Sequence, residues 1–441
     1  MLTAFLSAFK TPDLRKKLLF TLAMIAVYRL GATLPSPGVS YGNVQQCIKV
    51  LQNGDNGVFS LLNLFSGGAL LQLSVFALGI MPYITASIIL QLLTVVIPRL
   101  ELLRKEGQSG QAKITQYTRY LTLGLAVLQA SAFVALARSG QLFNNQCDQF
   151  PIIPQTKLPM WLTVSVIVVT MTAGTGVIMW LGEMVTDRGV GNGMSVLIFT
   201  SIAARLPSEG WSIKTNKGWG IFALIMAIGL VVITAVVLIE QAQRRVPVQY
   251  AKRMIGRKMY GGTSTYIPIK VNQAGVIPVI FASSLLYLPQ LALQLMDANH
   301  PNWVYRFINN HLIKQNDWVN ITLFALLIIF FTYFYITITF NVDERAEEMK
   351  KFGGFIPGIR PGRPTAEYLS FVLGRITLPG SLYLGIIAIL PNFFLSVTGS
   401  GNNQNFPFGG TAVLIMVGVG LDTVKQIESQ LMQRNYEGFL K

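Results

Sequence analysis

Three carboxylates are the residues of this sequence best suited to proton or ion chemistry inside a hydrophobic layer. Glu183, Glu240 and Asp422 each lie at or near one end of a long apolar run. Ion-coupled carriers usually place such groups near the middle of the membrane, where they mark ion and proton pathways. Because none of the three is clearly central, we expect paired or snorkelling carboxylates. This disfavours a coupled transporter but leaves it open as an alternative.

The other reactive groups are few, and their spacing matches no catalytic motif. The two histidines, His300 and His311, fall in one loop, where we expect them to be solvated. No GxxxxGK[ST], HExxH or GxSxG motif occurs, and the glycine-rich GVGNG of 189–193 follows no predicted strand. Cys47 and Cys147 are expected as unpaired thiols in separate loops, although an external location would permit a disulfide. The sequence therefore predicts no enzyme, no cofactor and no metal site.

The amino-acid composition indicates that transmembrane helices position these carboxylates and other polar side chains. The 441 residues are 52% hydrophobic and only 12% charged, whereas soluble domains carry about 25% charged residues. This excludes a disordered chain, a disulfide scaffold and an ordinary soluble enzyme. An all-α polytopic membrane protein with ten transmembrane helices is predicted, since about 20 apolar residues span a bilayer. The ten runs are 18–34, 72–92, 114–136, 160–182, 191–206, 219–239, 275–296, 318–340, 369–391 and 409–429.

Basic residues predict the orientation of these spans. With the N-terminus inside, 26 of the 35 Lys and Arg residues lie in cytoplasmic segments and 8 lie outside. Cytoplasmic loops are enriched in Lys and Arg, so both termini are predicted to be cytoplasmic. The remaining one, Arg29, falls inside the first span, at a cost of about 2.5–3.5 kcal/mol if it is central. It either snorkels or binds backbone carbonyls near the outer end, or it braces a polar cavity.

The spans divide the chain into two groups of five. The predicted segments are a cytoplasmic N-terminal segment at 1–17, a first half at 18–206, an external connection at 207–218, a second half at 219–429 and a cytoplasmic tail at 430–441. Two long cytoplasmic loops, 240–274 and 341–368, contain many Gly and Pro residues and are expected as protruding hairpins or helical stubs. The external segment Pro35–Leu71 ends in an apolar stretch broken by Gly67 and Gly68, which indicates a re-entrant half-helix.

Several stretches together resemble the SecY family, the central subunit of the protein-conducting channel. They occur in the family's order from the first span to the last, and jointly they are specific. The stretches are YRLGATLPSPG (28–38), FSGGALLQLSVFALGIMPYITASIILQLL (65–93), KEGQSGQAKITQYTRY (105–120), WLGEMVTDRGVGNGMS (180–195), QRRVPVQYAKR (243–253), STYIPIKVNQAGVIPVIFASS (264–284), GGFIPGIRPGRPTAEYL (353–369) and FGGTAVLI (408–415).

The resemblance implies an hourglass channel of two pseudo-symmetric five-helix halves, narrowed by a ring of apolar side chains. Any one isoleucine in a span would otherwise be attributed to packing, and only the motif context distinguishes these. On this sequence the ring falls on Ile80, Ile84, Ile198, Ile280 and Ile415. The first two are four residues apart and therefore share one helix face.

The resemblance also implies two moving parts. The re-entrant segment 59–70 would be a plug below the ring, and glycines would act as its hinges; a fixed surface helix is the alternative. Its residues are Phe59, Leu61, Leu62, Leu64, Phe65, Gly67 and Gly68. The channel would also open sideways between the second and seventh spans, so that signal sequences and apolar nascent segments reach the membrane lipids.

Partners follow from the same resemblance, because the sequence has no nucleotide site to drive transport. The family's cytoplasmic loops dock the ribosome, through rRNA phosphates, and the SecA motor ATPase; small SecE-type and SecG-type membrane subunits are expected beside the channel. The candidate docking residues are Arg244, Arg245, Lys252, Arg253, Arg257, Lys258, Arg360 and Arg363. A set of solvated topology determinants is the alternative for this basic run.

The expected location is the plasma membrane. Other function classes left open are a small-solute secondary transporter with broken helices and a membrane-embedded enzyme.

Overall fold

The protein is described by a computed structural model that covers residues 11–51, 66–70, 72–138, 159–250, 253–255, 258–260, 264–294, 303–313, 317–397 and 410–437. Helices dominate it. They are α1 (Pro12–Thr33), α2 (Tyr41–Leu51), α3 (Met81–Val96), α4 (Pro98–Lys105), α5 (Gln108–Arg138), α6 (Met160–Arg188), α7 (Gly193–Gln241), α8 (Ile277–Gln294), α9 (Trp303–Phe307), α10 (Trp318–Thr339), α11 (Val342–Lys351), α12 (Arg363–Val397) and α13 (Gly410–Glu437). A π-helical turn at Ile308–Ile313 follows α9.

Each of the ten predicted spans contains a described helix, so the prediction of an all-α fold is confirmed. Among the described residues, five helices are by themselves long and apolar enough to cross a membrane, or six if the bent pair α3 and α4 forms one span. The fifth and sixth spans lie in one helix, α7, which is broken only at Gly218, where φ is 82°. Glycine adopts this left-handed conformation without the penalty that a side chain would bring. The predicted external connection at 207–218 is therefore helical up to this break, and Pro207 lies inside the helix.

The second span begins later than the apolar run predicts. Residues 75–80 form turns, and α3 starts only at Met81 with Pro82 in its first turn. Proline is favoured there because it lacks the N–H that a helix start leaves unbonded. Gly79 has a φ of 57° and Leu73 has a φ of 45°. These positive φ values are incompatible with a right-handed helix, so they interrupt it. At its other end α3 meets α4 at a bend of 100°.

Three of the five apolar clusters among the described residues are the largest and hold most of the helices together. The first lies within the N-terminal part of the chain and joins α2, α5 and α6 to the turns before α3. The second cluster lies within the C-terminal part of the chain and joins α7, α8, α10, α12 and α13. A third cluster lies between them and takes residues from α1, α3, α6, α7, α8 and α13. This last one, the central cluster, is the place where the two parts of the chain meet.

The GVGNG segment forms a tight turn between α6 and α7. Gly191 has a φ of 88°, and the Asn192 side chain caps α7 by accepting from the N–H of Met194 at 3.1 Å. A Cβ on Gly193 would lie 1.8 Å from the carbonyl oxygen of Gly182. The glycines therefore permit close helix contact, and no strand precedes them.

The two long loops on the predicted cytoplasmic side join in one small sheet. Strands β1 (Gln243–Tyr250) and β4 (Ser264–Lys270) form an antiparallel hairpin, and β5 (Gly354–Phe355) from the second loop pairs with the other edge of β1. The strand order is β4-β1-β5. Strands β2 (Arg253–Ile255) and β3 (Lys258–Tyr260) pair with each other farther along the hairpin. The first loop is thus a hairpin, and the second begins with the helical stub α11.

The expectation of unpaired thiols is wrong for Cys47. This residue of α2 is fully buried and disulfide-bonded. Cys147, the chain's other cysteine, lies outside the described residues. Sequence spacing could not decide this question, because a disulfide depends on tertiary distance.

Candidate functional site

The central cluster contains all five isoleucines assigned to the ring. Four of them are at least 93% buried, and Ile84 is half-buried and packs against the others. They come from separate segments: the turn before α3, α3 itself, α7, α8 and α13. The buried four are Ile80, Ile198, Ile280 and Ile415. The structure therefore brings together side chains that lie more than 330 residues apart in the sequence.

Helix starts position these isoleucines. Ile80 caps α3, and its carbonyl accepts from the N–H of Ile84 at 3.1 Å, so that the two residues stand one turn apart. Ile280 lies in the first turn of α8 and donates its N–H to the carbonyl of Val276. Ile198 and Ile415 lie within two turns of the starts of α7 and α13. Each of the five isoleucines assigned to the ring is thus held by regular backbone hydrogen bonds.

Tyr28 and Phe76 belong to the same central cluster as the five isoleucines and were missed by the sequence reasoning. Their rings stack with centroids 6.0 Å apart, and the Tyr28 hydroxyl lies 3.1 Å from Oγ of Ser201 on α7. A Cβ on Gly31 would lie 2.2 Å from the ring of Phe76. The signal in the sequence was the YRLG stretch, whose tyrosine is one member of this aromatic pair and whose glycine lies against the other, Phe76.

Glu183 is paired and does not form an isolated acidic site. Its two carboxylate oxygens accept from Nε and Nη2 of Arg119, each at 2.8 Å. This bidentate pair joins α5 to α6 and fixes their relative position, because an Arg–carboxylate fork is geometrically specific. The expectation of a paired carboxylate is met here.

Glu240 and Asp422 are also partnered. Asn272 donates from Nδ2 to Oε1 of Glu240 at 2.5 Å and to the carbonyl of Gly275 at 3.1 Å, which joins the end of α7 to the segment leading into α8. Nζ of Lys270 lies 3.6 Å from Oδ1 of Asp422. All three carboxylates are thus bound to neighbouring side chains, and no group of three or more potential metal ligands occurs among the described residues. This arrangement gives no support to a coupled transporter.

Most of the residues assigned to the plug lie outside the described residues. Phe59, Leu61, Leu62, Leu64 and Phe65 fall outside the described residues. Gly67 and Gly68 are described, and their φ values are 66° and 93°. These are left-handed conformations that favour glycine; their role as hinges stays a prediction.

Of the predicted docking residues, some are described by the structure and others are not. Arg244 and Arg245 are exposed on β1, and Arg360 and Arg363 are exposed in the second loop. Arg363 contacts Glu367 at 3.3 Å. Arg253 and Lys258 belong to strands β2 and β3, whereas Lys252 and Arg257 lie outside the described residues. Since β5 pairs with β1, the strand that carries Arg244 and Arg245 is joined to the loop that carries Arg360 and Arg363. We call these four exposed arginines the basic platform.

Comparisons with known proteins agree with this architecture. A model of the SecY family matches residues 74–424. The chain is 63% identical to the protein translocase subunit SecY of Mycobacterium bovis and 64% identical to that of Streptomyces scabiei, with complete coverage of each chain.

Solved structures show the same fold at low sequence identity. A protein-conducting channel has a TM-score of 0.60 at 17% identity, covering 94% of this chain and 92% of its own. Sec61 in the canine ribosome–channel complex has a TM-score of 0.56 at 16% identity, with the same coverage. The matched family model and the full-length relatives show that this chain belongs to the SecY family.

Proposed function

We propose that this multi-pass membrane protein is the channel subunit of a protein translocase in the plasma membrane, with both termini cytoplasmic. It passes unfolded polypeptides across the membrane and releases apolar segments into the bilayer. It is a channel and not an enzyme. The proteins that it resembles are a translocase subunit and a protein-conducting channel. The strong bias of Lys and Arg toward one side supports the orientation. The segments 18–206 and 219–429 act as the two halves around the passage.

The gathering of the five isoleucines in the central cluster carries this proposal. Branched apolar side chains around a narrow passage cannot replace the hydration shell of an ion, so water and ions leave the constriction. A polypeptide can pass because an apolar ring makes no specific polar contact that would hold it. Directional force then comes from a partner.

Lateral release is proposed at the contact between α3 and α8. Ile88 of α3 packs against the C-terminal cluster, which contains Val279, Phe281 and Ala282 of α8. This contact is apolar and can part without breaking an ion pair. A segment in the channel then partitions by its own composition: Leu, Ile or Phe each gain about 0.3–0.6 kcal/mol in lipid, and a central charge costs about 2.5–3.5 kcal/mol.

Crosslinking tests the lateral exit. Cysteines introduced as Ile88→Cys on α3 and Ser283→Cys on α8 should each form an adduct with a cysteine in the signal sequence of a stalled precursor, because that sequence leaves between the two helices. Val169→Cys on α6, whose native side chain is 66% exposed on the outer surface, serves as the control. No adduct at the two gate positions, or equal adducts at position 169, would contradict this route.

The basic platform is proposed as the docking site of the partners. Exposed arginines suit the phosphates of rRNA, and two structural neighbours were solved bound to ribosomes. The same platform is proposed to bind a SecA motor ATPase, and SecE-type and SecG-type subunits to flank the helices. Because β1 and β5 pair, we expect a partner that binds one loop to contact the other as well.

A charge reversal at Arg360 tests both docking and transport. The side chain is exposed, while the Arg360 carbonyl accepts from Oγ1 of Thr365 at 2.9 Å, so Arg360→Glu should leave the backbone intact. We expect motor-driven uptake of a precursor into proteoliposomes to fall by about tenfold, the effect of losing about 1.4 kcal/mol of docking free energy. Arg345→Glu reverses another exposed arginine of the same loop and should transport normally.

Protease protection of the precursor measures uptake in both variants. Normal uptake by the Arg360 variant would argue against its docking role. Failure of the native chain, reconstituted with its partners, to protect any precursor would argue against the channel function itself.

A further inference from the structure

Helix α8 supplies one isoleucine of the ring and one side of the proposed lateral exit, and the segment before it decides where the helix begins. Ile280 lies in the first turn of α8. The N–H groups of Val279 and Ile280 both donate to the carbonyl of Val276, at 3.2 and 3.3 Å. Gly275, just before this turn, has a φ of 62°. Whatever holds the segment 271–276 therefore also holds Ile280.

The side chain of Asn272 joins this segment to the end of α7. Its Nδ2 donates to Oε1 of Glu240 at 2.5 Å and to the carbonyl oxygen of Gly275 at 3.1 Å. Asn272 and Glu240 are both buried, and in such a region of low dielectric a hydrogen bond is stronger than in water. One amide group thus ties the residue that precedes the first turn of α8 to a carboxylate on α7. We call this pair the Glu240–Asn272 bridge.

The backbone beside the bridge is held by α7 and α12. The N–H of Val271 donates to the carbonyl of Ala242, which caps α7, at 3.0 Å. A Cβ on Gly380 of α12 would lie 2.4 Å from the carbonyl oxygen of Val271 and 3.9 Å from Cα of Asn272. Because α12 lies directly against this backbone, the entry to α8 has no room to move toward α12.

We propose that Glu240 and Asn272 are positioning residues that hold the start of α8, and with it Ile280, in contact with the other isoleucines of the ring. This inference rests on the channel function proposed above. Without the bridge, the first turn of α8 loses its side-chain anchor and Ile280 moves away from the constriction. The role requires a hydrogen-bond acceptor at position 240 and not a negative charge, which distinguishes it from the role of a proton-carrying carboxylate.

Removing the two partners tests the bridge. Asn272→Ala breaks both hydrogen bonds, and we expect the resting conductance of purified channels in planar bilayers to rise by about tenfold, because buried acceptors left without a donor are costly. Glu240→Ala breaks only one of the two bonds and should give a smaller rise. The double variant should conduct no more than the Asn272 variant, since both substitutions act on one contact. Elution as a single species in detergent shows which variants remain folded.

Glu240→Gln separates the hydrogen bond from the charge. The amide oxygen of Gln accepts from Nδ2 of Asn272 as the carboxylate does, so this variant should conduct within about twofold of the native channel. Lys270→Gln and Asp422→Asn are matched controls. Their native charges act on Glu240 and their side chains pair with each other at the surface at 3.6 Å, so both should stay sealed.

Three results would overturn the bridge. They are a folded Asn272→Ala channel that stays sealed, a Glu240→Gln channel that conducts as much as Glu240→Ala, and controls at positions 270 and 422 that conduct as much as the bridge variants. If the Asn272 variant does not accumulate, the comparison of Glu240→Ala with Glu240→Gln decides the question. Signal-dependent transport by the native chain in the same bilayers shows that the proposed channel function stands even where the bridge fails.

Discussion

A channel carrying Ile80→Asn and Ile415→Asn together should conduct ions at rest. Both side chains are about 99% buried in the central cluster. An amide there offers hydrogen bonds to water in place of an apolar surface, and the waist stays wet. If this lowers the barrier to ion passage by about 3 kcal/mol, the resting conductance rises by about two orders of magnitude. Conductance of purified channels in planar bilayers measures the change directly.

The matched control places the same substitution on the outer surface. Ile386 lies on α12 with 64% of its side chain exposed, and Ile386→Asn should leave the membrane sealed. The double variant must also remain folded, which its elution as a single species in detergent establishes. A folded double variant with native conductance would contradict the seal, and with it the assignment of the ring.

Hydropathy predicted the spans because their length and composition are local properties, and Gly and Pro predicted the hairpin for the same reason. The start of α3 was not predictable in this way. The turn before it depends on left-handed backbone at Leu73 and Gly79, which an apolar average over the run does not detect. Likewise, the apolar runs did not show that the connection at 207–217 continues as helix, because that segment is too polar to be counted as part of a span.

Contacts between residues that are distant in the sequence could not be predicted from the sequence pattern alone. Ile198 and Ile280 look like any isoleucine in a span, and only the family resemblance assigned them to a ring. Arg29 donates to the backbone carbonyl of Gly67 at 3.3 Å, and because every residue possesses a carbonyl, no residue type reveals this acceptor. The pairing of Glu183 with Arg119 spans 64 positions, a separation that no helical period indicates.

Replacing Gly174 with alanine should disrupt the support of the ring. A Cβ on this buried residue of α6 would lie 2.0 Å from the carbonyl oxygen of Val75 and 3.2 Å from the ring of Phe76. Val75 cannot retreat freely, because its N–H bonds to Leu34 at the end of α1. Either α6 moves outward or the turn that carries Ile80 shifts. We expect a loss of about 3 kcal/mol of stability, the upper range for overpacking.

Gly176 supplies the control two residues along the same helix. A Cβ there would meet only Cδ2 of Leu123 at 3.7 Å, an ordinary contact, so Gly176→Ala should be neutral or gain up to about 1 kcal/mol of helix propensity. The fraction of protein that stays monodisperse after heating in detergent compares the two variants. If the constriction depends on this close approach, the Gly174 variant loses heat resistance and also leaks ions at rest. Equal heat resistance in the two variants would show that α6 tolerates the added methyl and that the turn before α3 is not fixed by it.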